Sequence, residues 1–131
     1  MERTANLYAA WYRKSIDGLF ADCVLIAGSD DAPAGFVTCK LEDDVSRGIG
    51  RSVAAIGICA VAQDHEGRGA PAAMFNAVVQ WCARRDVHRL RSRILINNLG
   101  CAYSALRTGA LPVASFHTFH KWAGEHSSAA A

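Results

Sequence analysis

The feature that most constrains the fold is an apolar run that leads, through a loop with two glycines, into a helical pattern. Residues 53–62 are apolar without alternation, as expected of a central strand that is covered on both faces. Residues 69–85 return to a helical period. The apolar stripe of this predicted helix consists of Met74, Phe75, Val78, Val79 and Cys82. A buried strand that passes directly into an amphipathic helix predicts a sheet with helices packed on its faces.

The junction between this strand and this helix, residues 63–71, has the composition of an anion-binding helix start. Gly67 and Gly69 let the backbone approach a ligand closely, and Pro71 fits the first turn of a helix. Free N–H groups and the helix dipole favour a negative group there, and a diphosphate is the natural occupant. A glycine turn that merely starts a helix is the alternative. The Gly-Lys-Ser/Thr ending of a Walker loop is absent.

The other periodicities complete the order α-β-β-β-α-β-α-β. Apolar residues at helical spacing from Asn6 onward predict a first helix that ends between Gly18 and Phe20, and the turn at residues 30–35 predicts a hairpin. The remaining predicted elements are strands at 23–27, 36–41, 89–96 and 113–122, a polar loop at 42–51, and a helix at 98–108. We therefore expect one domain over residues 1–131, of the α/β (α+β) class, with a mixed sheet flanked by helices.

Composition excludes several classes of protein. The chain is 51% hydrophobic and 20% charged, which is ordinary for a soluble globular domain. No apolar run approaches the ~20 residues of a membrane span, and the first residues do not resemble a signal peptide. A net charge of +2 is too small to indicate nucleic acid. The five cysteines form no Cys-x-x-Cys pair, so we expect reduced thiols, no metal site and a cytoplasmic protein.

A family resemblance rests on the strand, loop and helix described above. Residues 56–74 resemble the signature of the GNAT acyltransferase superfamily, whose loop reads Arg/Gln-x-x-Gly-x-Gly/Ala. Asn98 and Gly109 stand where the family has the first and last residues of its Asn-x-x-Ala-x-x-x-Tyr-x-x-x-Gly pattern. Residues 8–41 and 116–122 are similar to the sugar-nucleotide amino-sugar N-acetyltransferases, such as TDP-fucosamine acetyltransferase.

The resemblance implies acetyl-CoA, or another acyl-CoA, as the co-substrate. The backbone groups that it assigns to the pantetheine amides are those of Cys59, Ala60 and Val61. The N–H groups that it assigns to the pyrophosphate are those of Gly67, Arg68, Gly69 and Ala70. Asn98 is implied to bind the pantetheine arm, or a water molecule beside it.

The implied activity is an acyl-CoA-dependent N-acetyltransferase. An amine attacks the thioester directly, and positioning and polarisation of the carbonyl supply most of the rate. The acceptor is expected to be a small primary amine, with an amino sugar as one option. The alternative is a catalytically weak GNAT-like module that binds acyl-CoA or a partner and regulates or scaffolds.

Three positions depart from the family pattern. Glu66 begins the loop in place of Arg or Gln, and Pro71 ends it. Ala105 stands where the family has the tyrosine that protonates the leaving thiolate. Tyr103 is two residues away, about 200° around a helix, so we expect it to face elsewhere. Cys101, one turn before Ala105, is a candidate proton donor, and a core cysteine is the alternative.

Two side chains are candidates for the acceptor site, and the start of the chain predicts self-association. Arg93, on the strand predicted at 89–96, is placed to meet an anionic acceptor, and His120 is placed on the last predicted strand. The family's usual strand before the first helix is lacking, so one edge of the sheet is expected to be exposed. We therefore expect a homodimer.

Overall fold

The computed structural model describes residues 2–29 and 31–119, with side chains described from residue 9 onward. Four helices and four strands alternate along these residues. In chain order they are α1 (Glu2–Ile16), β1 (Cys23–Ser29), β2 (Ala32–Leu41), α2 (Asp43–Ile49), β3 (Val53–Val61), α3 (Ala70–Ala83), β4 (Arg89–Arg91) and α4 (Leu99–Arg107). A single turn of 3₁₀ helix, Gln63–His65, lies between β3 and α3. The predicted class, a mixed sheet flanked by helices, is confirmed.

The sheet has the strand order β1-β2-β3-β4, and no strand precedes α1 in the described residues. The pairs β1–β2 and β2–β3 are antiparallel, whereas β3–β4 is parallel. β4 pairs only with Val53, Ala54 and Ala55, at the start of β3. Beyond Ala55, the edge of β3 that faces away from β2 has no strand partner among the described residues. The sheet is therefore open on this side along the second half of β3.

A β-bulge sets the direction of that second half. Val37 pairs with Cys59 and Cys39 pairs with Ile56, so two residues of β3 oppose the single residue Thr38. The hydroxyl of Thr38, a residue only 3% exposed, accepts the N–H of the second bulge residue, Ile58, at 2.9 Å. The first bulge residue is Gly57, and glycine is favoured at this position because a Cβ on it would lie 2.8 Å from the hydroxyl oxygen of Thr38. Bulges of this kind bend a strand and re-aim its backbone groups.

The core lies between the sheet and α3. Its buried members are Val37, Cys39, Ala54, Met74, Val78, Trp81 and Cys82. Three of the five side chains of the predicted stripe of α3 belong to this cluster, which confirms the amphipathic pattern, whereas Val79 is 43% exposed. All five cysteines are free thiols.

Local capping explains where the first helix ends. The helix was predicted to end between Gly18 and Phe20, whereas α1 ends at Ile16. Gly18 has a φ of 75° and donates to Ser15 O at 3.1 Å, while Leu19 N donates to Lys14 O at 2.9 Å. This pair of bonds is a Schellman C-cap, which stops a helix at a glycine in the left-handed conformation.

Other predicted boundaries were wrong. Part of the predicted polar loop at 42–51 is a helix, α2, with acidic residues in its first turn and Gly50 as its left-handed C-cap. The strand predicted at 89–96 ends at Arg91 because β4 diverges from β3 there. In the last predicted strand, 113–122, the described residues 113–119 form no strand, and residues 120–122 lie outside the described residues.

Candidate functional site

A cavity of about 510 Å³ lies where the end of β3, the start of α3 and the inner face of α4 meet. We call it the main cavity. It is lined by Cys59, Val61, Glu66, Gly67, Gly69, Pro71, Ala72, Asn98, Gly100, Cys101, Tyr103, Ser104 and Arg107. Residues from the predicted strand, loop and helix are thus brought together in one place, and α4 adds a wall.

Both loop glycines are in the left-handed region, with φ of 73° at Gly67 and 84° at Gly69. Gly69 is the N-cap of α3. A Cβ on either glycine would meet no protein atom within 4 Å. The space beside these two residues is therefore cavity space, and the conformation itself is what favours glycine.

The first turn of α3 presents several unpaired amide groups. The first backbone hydrogen bond of the helix runs from Ala73 N to Gly69 O, at 3.1 Å. In the described part of the chain, the loop and first-turn amides without an acceptor are those of Gly67, Gly69, Ala70 and Ala72. Together with the helix dipole they form an anion-binding site.

This set differs from the predicted one at two residues. The amide of Arg68 already donates to His65 O, at a long 3.4 Å, and its side chain is exposed. The Ala72 amide, which sequence reasoning missed, is unpaired and lines the main cavity. The signal was available, because the third residue after an N-cap has no intrahelical acceptor. Pro71 has no N–H to lose, so it leaves the site nearly intact.

The second half of β3 presents alternate backbone groups to the main cavity. Ala62 N donates to Ala34 O at 2.8 Å, and Ile58 N donates to Thr38 on β2. Groups on a strand alternate in direction, so Ala60 also faces β2. Cys59 and Val61 face the open edge, and both line the cavity, whereas Ala60 does not. The structure therefore separates Ala60 from the two neighbours with which it was predicted, because its backbone groups point to β2.

Asn98 begins α4 and points into the main cavity. Its side-chain oxygen accepts the N–H of Cys101 at 3.2 Å, so Asn98 is the N-cap of the helix. The side-chain nitrogen of Asn98 keeps its two donors for a ligand. The prediction that Asn98 lies beside the ligand arm remains a prediction, although its position at the cavity is compatible with it.

The structure places Tyr103 and Ala105 differently from the prediction. Gly100, Tyr103 and Arg107 share one face of α4, and this face lines the main cavity. Ala105 lines a second, smaller cavity. Tyr103, which was expected to face away from the ligand, therefore lies on the face of α4 that lines the main cavity.

Charged groups at the rim of the main cavity were also missed. Arg107, in the last turn of α4, lies over the Tyr103 ring with 5.9 Å between guanidinium carbon and ring centroid. It brings a positive charge to the cavity, opposite in sign to that of Glu66. A helical wheel of the predicted helix at 98–108 would have placed Arg107 one turn after Tyr103 on the same face.

Two thiols lie at the inner side of the main cavity. Burial, and to a smaller extent the nearby Cys101, raise the pKa of Cys59 to about 11. Burial also raises the pKa of Cys101. Cys101 is half-buried and outside the core cluster. Both thiols are therefore protonated at neutral pH, so each carries a proton and neither is a nucleophilic thiolate.

The predicted acceptor residues are not brought to the main cavity. Arg93 follows β4 and lies over the ring of Phe116, 5.6 Å from its centroid. It is absent from the lining of both cavities. His120 lies outside the described residues. Within residues 2–29 and 31–119 there is no group of three or more potential metal ligands, and no helix is long and apolar enough to cross a membrane.

Comparison with known proteins identifies the family. The model of the acetyltransferase (GNAT) family matches residues 2–102, which include β3, the glycine loop and α3. The chain therefore belongs to the acetyltransferase (GNAT) family. No curated protein sequence matches the chain significantly.

Solved structures share the fold at low sequence identity. The structure of AAC(6')-Iy in complex with the bisubstrate analog CoA-S-monomethyl-acetylneamine matches with a TM-score of 0.68 and 19% identity, over 88% of this chain and 80% of that one. The aminoglycoside antibiotic 6'-N-acetyltransferase AAC(6')-IG from Acinetobacter haemolyticus matches with a TM-score of 0.64 and 14% identity, over 88% and 82%. Ribosomal-protein-alanine N-acetyltransferase from Brucella melitensis biovar Abortus 2308 matches with a TM-score of 0.59 and 18% identity, over 75% of this chain and 70% of that one. Against another matched structure, an integron cassette protein from V. cholerae, the chain spans only 60% of the other protein.

Proposed function

We propose that the chain is an acyl-CoA-dependent N-acyltransferase that acts on a small primary amine, and that the main cavity holds the acyl-CoA. One observation carries the proposal: the open edge of β3 leads within a single cavity to the unpaired amides of α3. A pantetheine arm has amides that pair with a strand edge, and it ends in a diphosphate that suits a helix start.

The assignments follow from these two surfaces. Cys59 and Val61 pair with the pantetheine amides through their backbone groups, as an added strand would. The diphosphate is bound by the free amides of the loop and first turn, from Gly67 to Ala72. Arg107 supplies a positive charge to the same anion, which offsets the nearby carboxylate of Glu66.

The reaction joins the amine nitrogen to the acyl carbon and breaks the carbon–sulfur bond. The amine loses one proton to a base, and the leaving thiolate gains one. Cys101, Tyr103 and Ser104 are the side chains of α4 that line the main cavity with an S–H or O–H proton, and the Ser104 hydroxyl already donates to Gly100 O. Cys101 is favoured, because it lies beside Cys59 at the inner side of the cavity, away from the diphosphate end.

Among small primary amines, an amino sugar is the acceptor that we propose to test first. AAC(6')-IG, which shares the fold, is described as an aminoglycoside acetyltransferase, and this supports an amine on a sugar ring without identifying it. The second candidate function is a catalytically weak module that binds acyl-CoA and regulates or scaffolds. Ala105, at the family's tyrosine position, favours that candidate.

Calorimetric titration followed by a turnover assay separates the two functions. We expect acetyl-CoA and CoA to bind with micromolar affinity, and a panel of amino sugars and simple amines to release free thiol from acetyl-CoA. Binding without thiol release for any amine supports the binding module. Absence of binding by both CoA and acetyl-CoA contradicts both functions.

A further inference from the structure

A second cavity, of about 230 Å³, lies between α3, α4 and β4. We call it the inner cavity. Most of its lining is apolar and comes from the side chains of Ile56, Phe75, Val79, Leu90 and Ala105. Arg91 also lines it, but both guanidinium contacts of this residue go to the carboxylate of Glu42. The inner cavity therefore offers an apolar surface and no unpaired charge to a ligand.

Two elements run from the lining of the main cavity to the lining of the inner cavity. On β3, Cys59 lines the main cavity, and Ile56, which packs against the same core cluster, lines the inner one. On α3, Ala72 in the first turn lines the main cavity, and Phe75 and Val79 line the inner one. Both elements thus lead from the diphosphate end, past the thiol of Cys59, into the inner cavity.

Helix α4 also lines both cavities, with residues that lie one turn apart. Cys101 lines the main cavity, and Ala105, one turn later and about 40° around the helix, lines the inner one. The neighbouring face of α4, with Tyr103, stays in the main cavity. An acyl-CoA whose pantetheine follows β3 from Val61 to Cys59 therefore directs its acyl group towards Ala105.

We propose that the inner cavity receives the acyl chain, and that the preferred co-substrate is a medium-chain acyl-CoA rather than acetyl-CoA. This inference rests on the proposed function. An apolar cavity of about 150 Å³ binds benzene, so about 230 Å³ accommodates a chain of roughly six carbons. Ala105 determines the length of acyl chain that fits, because a larger side chain at this position would occupy the space of the chain.

Affinity across a series of acyl-CoA thioesters tests the inference. CoA, acetyl-, butyryl-, hexanoyl- and octanoyl-CoA are titrated by calorimetry. Full burial of a methylene increases affinity by about fourfold, and the inner cavity is partly open. We therefore expect hexanoyl-CoA to bind at least about tenfold more tightly than acetyl-CoA. Equal affinities along the series overturn the inference, whereas failure of CoA itself to bind contradicts the proposed function.

Filling the inner cavity is the matched test. We expect Ala105→Leu to abolish the gain from acetyl- to hexanoyl-CoA while the affinity for acetyl-CoA stays within about twofold. Val79→Phe, from the opposite wall, does the same if Ala105→Leu does not fold. Leu106→Phe is the control, because Leu106 is 49% exposed and lines neither cavity. A length preference that survives both filling variants overturns the inference.

Discussion

Replacing a loop glycine tests the anion site, provided that backbone strain is separated from loss of the site. Gly69 has a φ of 84° with no protein atom within 4 Å of a Cβ. Gly50, the C-cap of α2, has a φ of 66° and the same free space, and it lines neither cavity. Valine at either position therefore introduces the same kind of left-handed strain, which costs about 1–2 kcal/mol of unfolding free energy.

Only the substitution at the loop should affect the ligand. In Gly69→Val the side chain enters the space of the diphosphate and disturbs amides whose charged hydrogen bonds contribute about 1.5–3 kcal/mol each. We expect the dissociation constant for CoA to rise at least about tenfold in Gly69→Val and to stay within about twofold in Gly50→Val. Calorimetry gives the affinities, and urea denaturation confirms that both variants are folded. Wild-type affinity in a folded Gly69→Val protein would refute the site.

Three further predictions concern catalysis, the bulge and assembly. Cys101→Ala should lower kcat on the order of a hundredfold, the usual effect of losing a proton donor, and leave the affinity for acetyl-CoA unchanged. Tyr103→Phe should keep most of kcat. Thiol-release kinetics measure both variants, and the reverse result would make Tyr103 the proton donor. Thr38→Val should lower the unfolding free energy by about 1–3 kcal/mol, because the N–H of Ile58 loses its buried acceptor. An unchanged midpoint in urea denaturation would show that the bulge does not need the hydroxyl. We also expect a homodimer through β1, an edge strand in the described sheet, and a monomer in sedimentation at high micromolar concentration would count against it.

Local signals made the strand, loop and helix of the site predictable. The apolar run, the two glycines and the helical stripe act within about 30 residues of sequence, and each gave the correct element. The helix α2 carried an equally local signal that was overlooked, whereas the end of α1 was predicted close to its C-cap at Gly18. Their boundaries depend on capping bonds and a left-handed glycine rather than on hydrophobic period.

Other features needed the tertiary structure. That Ala60 faces β2 depends on the bulge opposite Thr38, and the isolated Gly57, although typical of a bulge, does not give the register with β2. The length of β4 depends on how far it runs beside β3 before the strands diverge. The face of α4 that meets the cavity depends on how that helix lies on α3, so Tyr103 could not be placed from its spacing alone.

Amide hydrogen exchange with and without CoA tests whether the main cavity holds the acyl-CoA. We expect saturating CoA to slow exchange at Cys59, Val61, Gly69 and Ala72 by about tenfold or more, because these N–H groups gain acceptors. The N–H of Gly50, far from the site, should be unaffected. If CoA binds but none of these four amides is protected, the acyl-CoA does not occupy the main cavity.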